Sequence, residues 1–271
     1  MSLYLMFDVG NTRLKWAVAD SSQHPSDRQK KLWAYSGSIG TASLRSPEHR
    51  AELTEYISKT IPKPDYIGFC CVAGDEAIEN LKSLFPQWHD LPWHQLRGDS
   101  AYIGMRTSYQ DSAKLGADRW AAMIGARALS STNTLVVNAG TATTIDLLGA
   151  NGLHYGGWIL PGLSLMRESL HHHTAQLPLV ATHHNQEQVM HFGCSTNEAI
   201  AAGCTAAQLG AIHQATQLAK ELHHPIERIW LDGGNAAVLA KAMQAQDSNL
   251  SVEPIEGLVL RGIWAWLLQH H

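Results

Sequence analysis

Apolar and polar positions along the chain change period repeatedly, and those changes outline its elements. Residues 3–9 (LYLMFDV) form a short apolar run that ends in Asp8-Val9-Gly10-Asn11-Thr12, and residues 14–19 (LKWAVA) alternate loosely. Two such runs around a Gly/Asn turn predict a β-hairpin. Residues 20–31 are polar, contain Pro25 and read as a turn or loop. Over 47–60, Leu53, Tyr56 and Ile57 share one helical face, with Pro47 near the first helical position. Residues 65–73 (DYIGFCCVA) predict a buried strand, and 75–85 a helix with Ile78, Leu81, Leu84 and Phe85 on one side. Residues 86–112 are irregular and hold Trp88, Trp93, Tyr102 and Tyr109.

From Ser112 to about Leu129 the chain is Ala-rich and predicts a helix. Residues 134–138 (TLVVN) predict a strand, Ala139-Gly140-Thr141-Ala142-Thr143-Thr144 a turn, and Ile145–Leu148 another strand. This repeats the N-terminal design of strand, small-residue turn and strand, and suggests two related lobes, drawn at 1–112 and 113–271. Residues 156–162 (GGWILPG) read as a turn-rich strand end, with a helix following near 163–171. A long helix is expected over 195–222, opened by a Ser195/Glu198 capping box. Residues 228–232 (RIWLD) predict a strand running into Gly233-Gly234-Asn235, followed by helices near 236–244 and 256–268. Strands alternating with helices define an α/β class.

Composition narrows the function classes. Over 271 residues, 45% are hydrophobic and 16% charged, which suffices for a packed core. The net charge of −4 gives no basic surplus for nucleic acid, and no Lys/Arg-rich segment suggests a membrane-binding face. The N-terminus MSLYLMFDVG lacks a basic leader region, and no run of about 18 apolar residues occurs, so a cytoplasmic protein is expected. Cys70, Cys71, Cys194 and Cys204 have no CxxC spacing, so they are expected as buried free thiols. The histidines cluster at 171–173, 183–184, 223–224 and 270–271 without ligand spacing, and are expected as solvated surface residues.

Four short segments carry candidate chemistry. Asp8 ends a buried strand before a glycine turn, a costly place for charge unless a cation pairs with it. Gly10 admits close backbone approach to an anion, Asn11 and Thr12 add donors, and Lys15 adds positive charge. Phosphate oxygens with Mg²⁺ would suit this set; an ordinary hairpin turn has the same residues. Gly140-Thr141-Ala142-Thr143-Thr144 offers similar groups, and Asp232-Gly233-Gly234-Asn235 is a third glycine turn. The combination looks like the paired hairpins with which actin and the sugar kinases hold ATP. No GxxxxGK[ST] or GxGxxG occurs, which disfavours P-loop, Rossmann and protein-kinase sites. In Leu115-Gly116-Ala117-Asp118-Arg119-Trp120, the Asp118/Arg119 neighbours are either a structural ion pair or a base with a carboxylate-binding arginine.

At this point the chain resembles the type III pantothenate kinases. The resemblance rests on DVGNTRLKW at 8–16, LGADRW ending at 120, NAGTATTID at 138–146, GGWILPGLSLM at 156–166, TAQLP at 174–178, GCSTNEAIAAG at 193–203 and LDGG at 231–234. It implies two actin-like (ribonuclease H-like) lobes with ATP between them, a homodimer, and phosphorylation of pantothenate in the first step of coenzyme A synthesis. Carried over by position, Asp8, Val9, Gly10, Asn11, Thr12, Arg13, Leu14, Lys15 and Thr141 would bind ATP, with Asp8 reaching its Mg²⁺. Tyr109, Gly116, Ala117, Asp118, Arg119 and Thr196 would bind pantothenate, Asp118 accepting the hydroxyl proton. One position departs: the family commonly has Asp as a monovalent-cation ligand where this chain has Asn138. An amide keeps a carbonyl oxygen but loses the charge, so K⁺ or NH₄⁺ would be held more weakly, or the charge balance beside the phosphates differs. The alternative readings are a regulatory, non-catalytic relative of the same fold and an actin-like ATPase or sugar kinase with another alcohol substrate.

Overall fold

The structure is a computed structural model that describes residues 2–28, 32–180, 192–246 and 251–270. His183, His184 and His271 lie outside the described residues. Two compact units are present, one of residues 1–130 with 258–271 and one of residues 131–257. The expected division at 112/113 therefore differs from the compact units, in which the last helix belongs with the first.

In the first unit, β1 (Leu3–Val9), β2 (Arg13–Asp20) and β3 (Tyr35–Gly40) form an antiparallel meander. After α1 (Pro47–Thr60), β4 (Tyr66–Cys71) lies parallel to β1; after α2 (Asp75–Ser83), β5 (Trp93–Gln95) lies parallel to β4. The strand order is β3-β2-β1-β4-β5. The two-residue β6 (Arg106–Thr107) follows, then α3 (Ala117–Leu129). One sheet face carries Leu5, Phe7, Val9, Leu14, Trp16, Ile67 and Phe69 and packs on Leu53 and Ile57 of α1 and Leu81 of α2. The other face receives the C-terminal helix α7 (Leu258–His270): a Cβ on Gly68 would stand 2.7 Å from Leu267 and 2.8 Å from Ile263. α3 joins α7 backbone to backbone, since a Cβ on Gly262 would lie 1.7 Å from the Ala121 carbonyl and one on Gly125 2.2 Å from that of Leu258. This close packing is why the chain's end belongs to the first unit.

The second unit repeats the same order. β7 (Thr134–Ala139), β8 (Ala142–Leu148) and β9 (Leu153–Pro161) form an antiparallel meander, followed by α4 (Leu163–His172) and α5 (Thr196–Glu221). β10 (Arg228–Asp232) is parallel to β7, and after α6 (Ala236–Gln246) β11 (Val252–Pro254) is parallel to β10. Leu135, Val137, Ala139, Ile145, Ile229 and Leu231 pack on Ile212 of α5 and Leu239 of α6. Ser195 caps α5 by accepting from the Glu198 backbone N–H, and the Glu198 carboxylate accepts in return from the Cys194 N–H. The expected capping box is thus present, its return bond made one residue before the cap.

Several expectations need correction. The helix expected from Ser112 starts at Ala117; residues 112–114 form a 3₁₀ turn and Leu115-Gly116 is extended. The second hairpin turn is tighter than expected, because Ala142–Thr144 already pair with β9 as strand. Residues 156–162 belong to a nine-residue strand, and β3 falls in a polar stretch where no strand is expected. Tyr56, placed with the buried face of α1, is 54% exposed. Cys70 and Cys204 are buried free thiols as expected, but Cys194 is exposed and Cys71 half-buried.

Candidate functional site

Asp8 is the penultimate residue of β1, flanked in register by Lys15 on β2 and Cys70 on β4. Alternation places Asp8 and Cys70 on the α7 face, opposite the apolar core face. Asp8 is buried, and its Oδ1 accepts from the Cys70 thiol, Sγ lying 3.7 Å away. The turn beyond is exposed and tied down at its base: Gly10 N–H donates to the Arg13 carbonyl at 3.0 Å, and Thr41 donates its hydroxyl to the Gly10 carbonyl at 2.6 Å. Arg13 is held over β3 by its bond to Ser38 Oγ at 2.5 Å.

Asp118 stands in the first turn of α3, where a carboxylate suits the helix dipole. Its Oδ1 accepts from the Arg119 N–H at 2.8 Å. That rotamer depends on Gly116, where a Cβ would come within 2.7 Å of the same oxygen. Arg119 is buried, donates to the Tyr109 hydroxyl at 2.8 Å, and lies with its guanidinium carbon 5.6 Å from that ring's centre. Burial pushes the Cys70 thiol well above its ordinary range, and the charges of Asp8 and then Asp118 push it further. One thiol therefore touches the strand-end acid and lies within electrostatic reach of the helix-start acid, both in the first unit.

In the second unit the other two glycine turns meet. Gly140 N–H donates to the Ala142 carbonyl at 3.1 Å, and Gly162, the cap of α4, donates to the Thr141 carbonyl at 2.9 Å. The third turn closes on the second because Asn235 donates its backbone N–H to the Ala139 carbonyl at 3.1 Å. Gly233, with φ of 98°, leaves no room for a Cβ, which would lie 2.6 Å from that carbonyl oxygen. Asn138 is in register with Asp232 on β10, whose Oδ1 accepts from the N–H groups of Gly233 at 2.6 Å and Gly257 at 3.3 Å. Thr141 is exposed at the turn. Thr196, the first residue of α5, lines a cavity of about 1250 Å³ with Leu165, Met166, Leu170 and Ile200.

Sequence reasoning missed two polar features. Cys70 reads as one more buried thiol, and only strand register places it against Asp8. His154 lies outside the histidine clusters, is fully buried, and bonds through Nε2 to the buried Asp146 at 2.9 Å. Among the described residues, no cluster of three or more His, Cys, Asp or Glu could hold a metal ion by itself.

Two α/β units, in each of which five strands take the same order with a glycine turn between the first two, define an actin-like fold. Solved structures agree on that fold. A protein described as a Baf family transcriptional activator from Campylobacter jejuni superposes with a TM-score of 0.58 at 21% identity, covering 98% of each chain. One described as a 2-dehydro-3-deoxygalactonokinase from Sinorhizobium meliloti gives 0.56 at 14% identity, covering 98% of this chain and 97% of its own. A family model for type III pantothenate kinase matches residues 4–218. A type III pantothenate kinase of Burkholderia mallei (strain SAVP1) is 35% identical over 94% of this chain and 97% of its own length. The chain belongs to the type III pantothenate kinase family.

Proposed function

We propose that the chain transfers the γ-phosphoryl group of ATP to the hydroxyl of pantothenate, giving 4′-phosphopantothenate and ADP, the first step of coenzyme A synthesis. The observation that carries this reading is the family match over residues 4–218, with every segment of the resemblance inside it except the turn at 231–234. Asp118 is the proton acceptor: as the alcohol oxygen forms its bond to phosphorus and the bond to ADP breaks, the hydroxyl proton passes to the carboxylate. Arg119 and Tyr109, joined by their hydrogen bond, bind the pantothenate carboxylate with Gly116 and Ala117 beside them, and Thr196 is a further pantothenate contact.

Asp8 to Lys15 and Thr141 bind ATP. A Mg²⁺ ion would neutralise charge on the phosphate oxygens, and the chemistry of the donors fits it: magnesium takes one or two carboxylates together with phosphate oxygens. Asp8, a hard oxygen donor at the foot of an exposed turn, would hold the ion, and Lys15 lies in register beside it. A homodimer in the cytoplasm completes the proposal. Its supports are the apolar side chains that the second unit exposes, among them Ile159 at 64% and Leu165 at 42%, and the free cysteines.

Coupled detection of ADP release tests the activity. Purified protein with MgATP should release ADP only when pantothenate is added. Release that ignores pantothenate, or requires a sugar instead, overturns the reading. Addition of K⁺ or NH₄⁺ should change the rate little in the wild type and more in Asn138→Asp, which restores a charge at that position. Equal responses in the two proteins would remove Asn138 from cation binding.

A further inference from the structure

The mechanism uses Asp8 and Asp118 but leaves unexplained the residue that touches the first and feels the second. Cys70 is fully buried at the end of β4, in parallel register with Asp8, and its thiol donates to Asp8 Oδ1. The opposite register neighbour of Asp8 is Lys15, and the side-chain donor seen on the carboxylate is the neutral thiol. Gly68, the previous residue of β4 on the same face, is overlaid by Ile263 and Leu267, so apolar side chains of α7 lie beside the thiol's strand. A carboxylate rotates about its Cα–Cβ and Cβ–Cγ bonds, and a donor on one oxygen selects one orientation.

We propose that Cys70 is a positioning residue for phosphoryl transfer: its S–H holds Oδ1 of Asp8 so that the carboxylate is presented, still anionic, to the metal-bound nucleotide. This deepens the assignment of Asp8 to the nucleotide site and rests on it. A thiol suits the task because it is a weak donor. It orients the oxygen without drawing off the negative charge that the cation needs, as an ammonium or guanidinium at the same place would. It is also small enough for the packed face that α3 and α7 cover.

The test compares Cys70→Ser, which keeps a donor, with Cys70→Ala, which removes it. Cys70→Ala should raise KM for MgATP about five- to tenfold, the size of one modest hydrogen bond, and leave KM for pantothenate within about twofold. Cys70→Ser should return KM for MgATP to within about threefold of wild type. Two readouts do not depend on turnover. Manganese bound with ADP, followed by electron paramagnetic resonance, should weaken in Cys70→Ala and recover in Cys70→Ser. The infrared S–H stretching band that disappears in Cys70→Ser should shift in Asp8→Asn, because its acceptor has changed. An unshifted band, or a Cys70→Ala enzyme that melts earlier but keeps wild-type nucleotide and manganese binding, overturns the proposal. Asp8→Ala separates the two ideas: loss of turnover there with unchanged Cys70→Ala rejects the thiol alone, while an active Asp8→Ala rejects the nucleotide site on which it rests.

Discussion

Asp118 has one oxygen already engaged by the Arg119 N–H, and Gly116 gives that oxygen its space. Asp118→Asn keeps the shape and removes the basic oxygen, so turnover should fall by about 10²–10⁴ while the melting temperature stays close to wild type. Single-turnover phosphorylation of pantothenate measures it, and near wild-type turnover would show that another group takes the proton. Gly116→Ala should also lower turnover, because the added methyl forces the carboxylate out of its rotamer. Its mark is a loss of activity without the loss of a functional group. The residues of this cluster were largely legible in the sequence: Asp8, Asp118, Arg119 and Tyr109 stand out by type and by motif. Cys70 was not, because its partner lies 62 positions away and becomes a neighbour only through parallel strand pairing.

At the scale of elements, glycines decide how closely helices approach. The contact of α3 with α7 places Gly262 against the Ala121 carbonyl, so Gly262→Ala must push the two backbones apart. A cost of at least ~1–3 kcal/mol is expected, read as an earlier urea midpoint with unchanged slope. Gly210 in α5 is the opposite case: nothing lies within 4 Å of a Cβ there, and the residue is exposed. Gly210→Ala should stabilise the protein by ~0.5–1 kcal/mol, since only the entropic penalty of glycine in a helix is removed. Two destabilised proteins would show that packing at Gly262 is not the cause. Hydrophobic period located α1 and α2 to within a few residues, because each shows one buried face, and the capping box located the start of α5. The start of α3 was misplaced because the Ala-rich reading of the helix was carried back over residues 112–116, where the chain first turns 3₁₀ under the Asp111 side-chain cap on the Ala113 N–H. Hydrophobic period missed β3, an edge strand with an exposed, Ser- and Gly-rich sequence.

For the molecule as a whole, the predicted homodimer gives the clearest measurement. The second unit exposes the apolar side chains of Ile159, Leu165, Leu170 and Leu179, which a partner subunit would cover. Sedimentation velocity should find twice the chain mass of 29.7 kDa in the wild type, and Ile159→Asp with Leu165→Asp should shift the boundary toward the monomer. A wild-type boundary at the monomer mass, independent of concentration, rejects the assembly.

Local order in the chain was enough to determine the α/β class, the three glycine turns and the capped helix α5, and to single out Asp8 and Asp118 as candidate acids. Each depends on residues within a turn or two of one another, so composition and spacing record it. Strand pairing and helix packing decided the rest. They set the order that five strands of each sheet have in common, gave α7 to the first unit, put Cys70 beside Asp8, and joined the Gly233 turn to the Ala139 carbonyl. Those contacts join residues far apart along the chain, and a period of two or 3.6 residues says which face is buried but not which distant partner covers it.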